Sequence, residues 1–422
     1  MSSGAAGAAG HRAARERFAR DAGPGWRTRA TARAASPPLE HRMLLTATLC
    51  LLAFGAVMVY SASSPRDLVA GQGSGMSYLL RYLLYGLIGL AAMRILAKGG
   101  LALLSQRIVL LLLLGSFALL LFVLVPGLGI EVNDARRWFA VGPIQFQPSE
   151  LMKLALVLYV ARFLADHPKR IKDFRQSLVP VCLVTAPACL LIVVEPDLGT
   201  TLVVAFAVAG VLIASGVPMR YLAVVAGIAV LGVLVLVLAQ PYERVRLTAF
   251  LDPWHSAAGY QSVQGQIAIG SGGLFGVGIG EGVQKAFYLP EAQTDFILAV
   301  IGEELGLVGI FGLVCLYAMI CWSGLRIARR ATDRYGKLLA AGLTSLILSQ
   351  AALNIFVVLG LAPLTGVPLP FISYAPTNLC IMLAAVGLLL NISSPRSPRL
   401  RSVPAGPDAA ADRERRRRLR QK

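Results

Sequence analysis

Charge is scarce in this 422-residue chain: Asp, Glu, Lys and Arg make up 15 % of it, against roughly a quarter in a soluble domain. Too little polar surface remains to cover a water-soluble fold, so soluble classes are excluded. Acidic residues number 22 against 40 Lys and Arg, and the four histidines are scattered singly. The six cysteines (Cys50, Cys182, Cys189, Cys315, Cys321, Cys380) fall in apolar stretches without CxxC spacing. Neither a disulfide framework nor a zinc site is expected. No internal repeat is visible, which weighs against a transporter built from inverted halves. What the chain has in abundance is apolar: 56 % hydrophobic residues and 42 glycines, the composition of membrane helices packed through small residues.

A helix needs roughly 20 apolar residues to cross a hydrocarbon core about 30 Å thick. Ten stretches qualify, near 43–61, 77–96, 107–125, 148–165, 177–195, 198–216, 220–240, 295–322, 337–360 and 376–392. The expected fold is an all-α polytopic membrane protein of ten transmembrane helices, with one long outer loop (241–294) before the eighth. Ser61-Ala62-Ser63 has the small residues of a cleavage site, but so long a basic leader argues against removal.

The formal charge of +18 would suggest a nucleic-acid partner in a soluble protein, yet residues 1–42 and 392–422 contribute +12 of it. Residues 1–42 and 393–422 read as disordered basic tails flanking a membrane domain over 43–392, and no nucleic acid is implied. With the N-terminus inside, four inner loops hold 14 Lys and Arg, while five outer loops hold six. That bias sets both termini in the cytoplasm.

In this orientation the ionisable residues near membrane depth gather at the outer ends of helices, where each needs a partner or a cavity. The first cluster runs from Asn133 through Arg136, Arg137 and Trp138 to Gln147, Glu150 and Lys153. Glu150 and Lys153 share a helix face and can pair. The cluster either anchors a helix end or uses Arg137 and Lys153 to bind a phosphate. Asp197, in Glu195-Pro196-Asp197-Leu198-Gly199, either caps the next helix or offers a carboxylate to the same cavity. Asp295, where the long loop re-enters the membrane, is a cap or a general base whose affinity for a proton is raised by desolvation. Glu303 and Glu304 lie deeper and are expected to pair internally. The glycine run Gly276–Gly282 lacks the strand and the Lys of a phosphate loop and reads as a flexible or re-entrant turn. Prolines in Gly366–Tyr374 exclude regular helix, so that segment must line a cavity or be buried in protein.

The stretches ARRWFAVGPIQFQPSELMKLA (135–155), EPDLGTT (195–201), YQSVQ (260–264), VQKAFYLPEAQTDFILAVIGEELGLVG (283–309) and PLPFISY (368–374) together resemble the SEDS family of FtsW, RodA and SpoVE. The wording of 283–296 is more similar to the FtsW/SpoVE branch. The resemblance implies a peptidoglycan glycosyltransferase in the bacterial cytoplasmic membrane, its active site facing outside, that polymerises lipid II into glycan strands. It implies a class B penicillin-binding protein as transpeptidase partner, within a divisome or elongasome. It assigns catalysis to Asp295 and substrate binding to Arg137, Trp138, Gln147, Glu150, Lys153 and Asp197. No metal-ligand spacing is present, though Mg²⁺ or Mn²⁺ shared with substrate phosphates would leave little trace. A lipid II flippase, or an inactive scaffold recruiting a transpeptidase, are the alternatives. One departure stands out: Ala375-Pro376 replaces the family's Gly-Gly after PFISY, which removes backbone freedom and an N–H donor.

Overall fold

The computed structural model describes residues 37–69, 76–132, 135–141, 144–256 and 259–394. The expected tails lie almost wholly outside these residues, as do Asn133 and Asp134 of the first polar cluster. Every one of the ten expected spans falls on a helix: α1 (Leu39–Val69), α2 (Met76–Leu103), α3 (Gln106–Val123), α4 (Pro148–Asp166), α5 (Phe174–Val194), α6 (Leu198–Ser215), α7 (Met219–Ala239), α11 (Ile297–Arg330), α12 (Arg334–Val358) and α13 (Pro376–Ser393). The long loop is itself partly helical, with α8 (Pro241–Leu251), α9 (Tyr260–Gly272) and the single turn α10 (Gln284–Phe287). Among the described residues, eight helices are long and apolar enough to cross a membrane. The two others are α7, whose apolar part Met219–Val235 is shorter, and α4, which carries Glu150, Lys153, Arg162 and Asp166.

One of the least apolar of these helices is also among the most enclosed. Most residues of α4 from Pro148 to Leu164 are buried, and it packs against α3, α6, α12 and α13. A helix bearing ions at this depth is stable only when protein, not lipid, surrounds them. At the edge of the bundle α2 and α13 approach closely. A Cβ at Gly387 would lie 2.5 Å from Met93 O, so only glycine admits this contact.

Ahead of α4 the chain departs from the all-α expectation. Three short strands, β1 (Ile130–Val132), β2 (Ala135–Val141) and β3 (Ile144–Phe146), form an antiparallel meander. Ile130 faces Trp138 and Phe139 faces Phe146 across it, the aromatic and β-branched pairs that favour such ladders.

The second unanticipated feature is a break in α11. Gly306 has φ 64° and ψ −161°, a region essentially reserved for glycine. The break forfeits the helical bonds from Leu307 N to Glu303 O and from Val308 N to Glu304 O. The loop after α9 replaces all four partners: Val277 N donates to Glu303 O (3.0 Å), Gly278 N to Glu304 O (3.0 Å), Leu307 N to Gly273 O (3.0 Å) and Val308 N to Leu274 O (3.2 Å). The glycine run is therefore an ordered strap, and its amides at 276–278 are already bonded rather than free for a phosphate.

Helix ends sort by charge. Glu40, opening α1, pairs with Arg330 (2.6 Å) and Arg326 (3.7 Å) at the C-terminal end of α11. Beside them Asn391, near the end of α13, donates to Ala97 O of α2 at 2.8 Å. The opposite ends of α11 and α13 border the site described next.

Candidate active site

Where α4, α11 and α13 begin, a cavity of about 450 Å³ opens between them. Arg137 and Trp138 reach it from β2, Gln147 from the residue before α4, Arg246 from α8, and Asp295 from the residues before α11. Four of the seven expected site residues thus share one cavity, while Glu150, Lys153 and Asp197 lie outside its lining.

Asp295 does not cap α11; the N-cap is Phe296, with no side-chain hydrogen bond. Its Oδ1 instead accepts from Thr294 Oγ1 at 2.5 Å, and that hydroxyl also lies 3.2 Å from Glu291 Oε2. Its main-chain oxygen accepts from Asn354 Nδ2 at 2.8 Å. Opposite stands Gly366, at φ +65°, where a Cβ would come within 3.4 Å of Asp295 Oδ2. Burial pushes the Asp295 carboxyl above the ordinary aspartate range; the Thr294 hydroxyl opposes this, Glu291 adds to it, and the Arg246 guanidinium opposes it again. A carboxyl so raised is suited to accept a proton near neutral pH.

Lys153 sits beneath the cavity rather than on it. Its Nζ bonds Glu150 at 2.9 Å and Gln350 Oε1 at 2.7 Å, and the other Glu150 oxygen accepts from Asn378 Nδ2 at 2.8 Å. The i, i+3 pairing expected from sequence is present, but the pair is only 1–2 % exposed, so Lys153 has no open path to a phosphate. Arg137 is half-committed: Nε donates to Glu195 O at 2.7 Å and a terminal nitrogen donates to Pro196 O, while the side chain still lines the cavity.

Asp197 takes the capping role and does not line the cavity. Oδ1 caps α6 by accepting from Thr200 N at 2.9 Å, and Oδ2 accepts from Gln147 Nε2 at 3.2 Å. Glu195 is buried with neither carboxyl oxygen hydrogen-bonded. Burial, reinforced by Asp197 and countered by Arg137, pushes it up to about 9, so it holds its proton at neutral pH. Both deeper glutamates are buried in protein, but only Glu304 gains the charged partner expected of the two. Glu304 forms a buried ion pair with Lys285 and accepts from Ser61 Oγ at 2.7 Å, and Glu303 Oε1 accepts from Val283 N at 2.8 Å.

The replaced glycines cost the backbone nothing. Ala375 lies at φ −145° as the N-cap of α13, and Pro376 opens that helix, where a missing N–H is no loss. Sequence reasoning missed Arg246, Gln350 and Asn354. The last two left a signal, polar amides at i, i+4 in an apolar span.

A bundle of apolar helices with a mixed-charge cavity at one end defines a polytopic membrane protein with a site built for a polar, charged substrate. The family model described as cell cycle protein, FTSW_RODA_SPOVE, matches residues 41–397, and the chain belongs to that family. It is 40 % identical over 365 residues to stage V sporulation protein E of Bacillus subtilis, covering 86 % of this chain and 98 % of the relative. It is 39 % identical over 356 residues to the probable peptidoglycan glycosyltransferase FtsW of Geobacter sp., covering 83 % and 96 %. Among solved structures it resembles a chain described under the structural coordination of polymerization and crosslinking by a peptidoglycan synthase complex, with TM-score 0.69, 31 % identity, and coverage of 85 % and 98 %.

Proposed function

We propose that this protein is a peptidoglycan glycosyltransferase that polymerises lipid II into glycan strands on the outer face of a bacterial cytoplasmic membrane. The observation that carries the reading is Asp295, a carboxyl raised by burial in a cavity that also presents Arg137 and Arg246. The names of the FtsW relatives and the synthase-complex neighbour support it.

Asp295 takes the proton from the sugar hydroxyl of the acceptor as that oxygen attacks the anomeric carbon of the lipid-linked donor. The bond from that carbon to the lipid diphosphate breaks, and its electron pair leaves with the diphosphate. Attack opposite the leaving group inverts the anomeric centre. Arg137 and Arg246 carry the charge that a departing diphosphate needs, in a site where fixed charges act more strongly than in water. Trp138 and Gln147 complete the substrate wall. Glu150, Lys153 and Asp197 act through the scaffold, holding the cavity floor and the start of α6.

A shared Mg²⁺ or Mn²⁺ belongs to the same proposal. Among the described residues no group of three or more His, Cys, Asp or Glu is assembled, so phosphate and water oxygens would supply most of its shell, with Glu291 as the carboxylate that would hold it and Asp295 left to accept the proton. Bound there, it would supply further charge against the diphosphate.

Ten crossings with both termini cytoplasmic satisfy the loop charge bias. A class B penicillin-binding protein, within a divisome or elongasome, is the partner this reading requires. The test is purified full-length protein with that partner and labelled lipid II. Muramidase-sensitive glycan is the expected product; transbilayer movement of lipid II without glycan would replace the enzyme by a flippase, and neither would favour a scaffold.

A further inference from the structure

Between α12 and α13 the chain runs without regular structure and contains Pro368 and Pro370. Prolines donate no hydrogen bond, so the segment's carbonyls need donors from elsewhere at a depth where water is scarce. Four buried side chains supply them. Asn354 Nδ2 donates to Val367 O (2.8 Å), Gln350 Nε2 to Pro368 O (2.9 Å), Tyr317 OH to Pro370 O (2.6 Å) and Tyr82 OH to Phe371 O (2.5 Å).

One of these donors has a second task. The Asn354 amide nitrogen also donates to Asp295 O at 2.8 Å, so a single NH₂ group ties together the two strands of backbone that face each other across Asp295. The other side of that gap is Gly366, next to Val367 and 3.4 Å by its missing Cβ from Asp295 Oδ2. Both neighbours of Nδ2 are carbonyl oxygens, so only the amide nitrogen fits there. One turn away, Gln350 uses its oxygen to accept from Lys153 at 2.7 Å, which extends the tie through Glu150 to Asn378 on α13.

We propose that Asn354, supported by Gln350, is a positioning residue that sets the place of the Asp295 carboxyl by clamping its backbone to the Gly366–Val367 wall. The proposal rests on the reading of Asp295 as the base. Misplacing a catalytic group by about 1 Å costs on the order of a hundredfold in rate, without touching the groups that bind substrate.

The test is Asn354→Leu, similar in volume and lacking the donor, in full-length protein with its penicillin-binding partner and lipid II. The expected result is a kcat about a hundredfold lower with KM little changed. The pH profile supplies a second readout. The groups acting on Asp295 are Thr294, Glu291 and Arg246, and all remain in the variant, as does the Lys153–Glu150 pair beyond Gln350. Releasing the clamp opens the carboxyl to water, so the acid limb of kcat moves to lower pH. A purely structural role would lower the active fraction and leave the limb in place. Asn354→Ser keeps one donor and is expected to show a smaller loss in the same direction, which keeps the test available if the leucine variant misfolds. A kcat near wild type, or a loss with an unmoved acid limb, overturns the proposal. Asp295→Asn is measured in parallel: if it polymerises at the wild-type rate, the base reading falls and this proposal with it. If it is inactive while Asn354→Leu is normal, only the clamp falls.

Discussion

Replacing Gly306 with alanine attacks the break in α11. A Cβ at this position would lie 2.5 Å from both Gly276 N and Leu274 O, so the strap and the break cannot both stay as they are. If the break persists, alanine sits in a glycine-only region at a cost of about 1–3 kcal/mol, and the strap is pushed off its hydrogen bonds. If α11 heals into a continuous helix, it regains two bonds but loses the four made by the strap, a net cost of about 2 kcal/mol at about 1 kcal/mol each. The first response costs about 1–3 kcal/mol before any loss from the strap, the second about 2 kcal/mol, and each shifts the half-helix that Asp295 precedes. The assay is thermal unfolding in detergent alongside lipid II polymerisation. The midpoint is expected to fall by at least about 2 °C, with faster proteolysis near residues 273–283 and reduced activity. An unchanged midpoint with an unchanged rate would refute the argument that the strap and the break depend on each other.

Glu195 makes stability depend on pH. Because its folded-state affinity for a proton is raised to about 9, folded and unfolded chains are both protonated below the ordinary carboxyl range. Above that range the unfolded chain gives up the proton and the folded one keeps it. Stability therefore falls as pH rises toward about 9. Glu195→Gln should flatten this slope in unfolding midpoints taken across the range; an identical slope in the variant would remove Glu195 as its cause. Restoring the family glycines in Ala375→Gly/Pro376→Gly should leave polymerisation within about twofold and lower stability by about 1 kcal/mol through the looser unfolded chain. A large gain in rate would show instead that the native pair impairs the loop.

Hydropathy made the helices legible because each long apolar run had one low-energy fate. The same logic explains α4: its charges, which weaken it as a lipid-facing span, are why it lies inside. The meander was hidden because strands of three to seven residues leave little periodicity to read. At the site, local spacing announced the Glu150–Lys153 pair but not its isolation from the cavity, since Gln350 and Asn378 come from far along the chain. Ser61, Lys285 and Glu304 meet for the same long-range reason. Asp295 lay within reach of the capping rule, yet Phe296 takes the N-cap position. Its carboxyl is turned to Thr294 and Gly366 instead, a choice that only tertiary contacts make.

If Asp295 is the base of a lipid II polymerase, the polymerisation rate of Asp295→Asn protein with its partner present must collapse. The asparagine keeps the size of the side chain and removes the proton acceptor. The variant is expected to fold, bind lipid II and make no glycan strands above background. Glycan synthesis at the wild-type rate would contradict it.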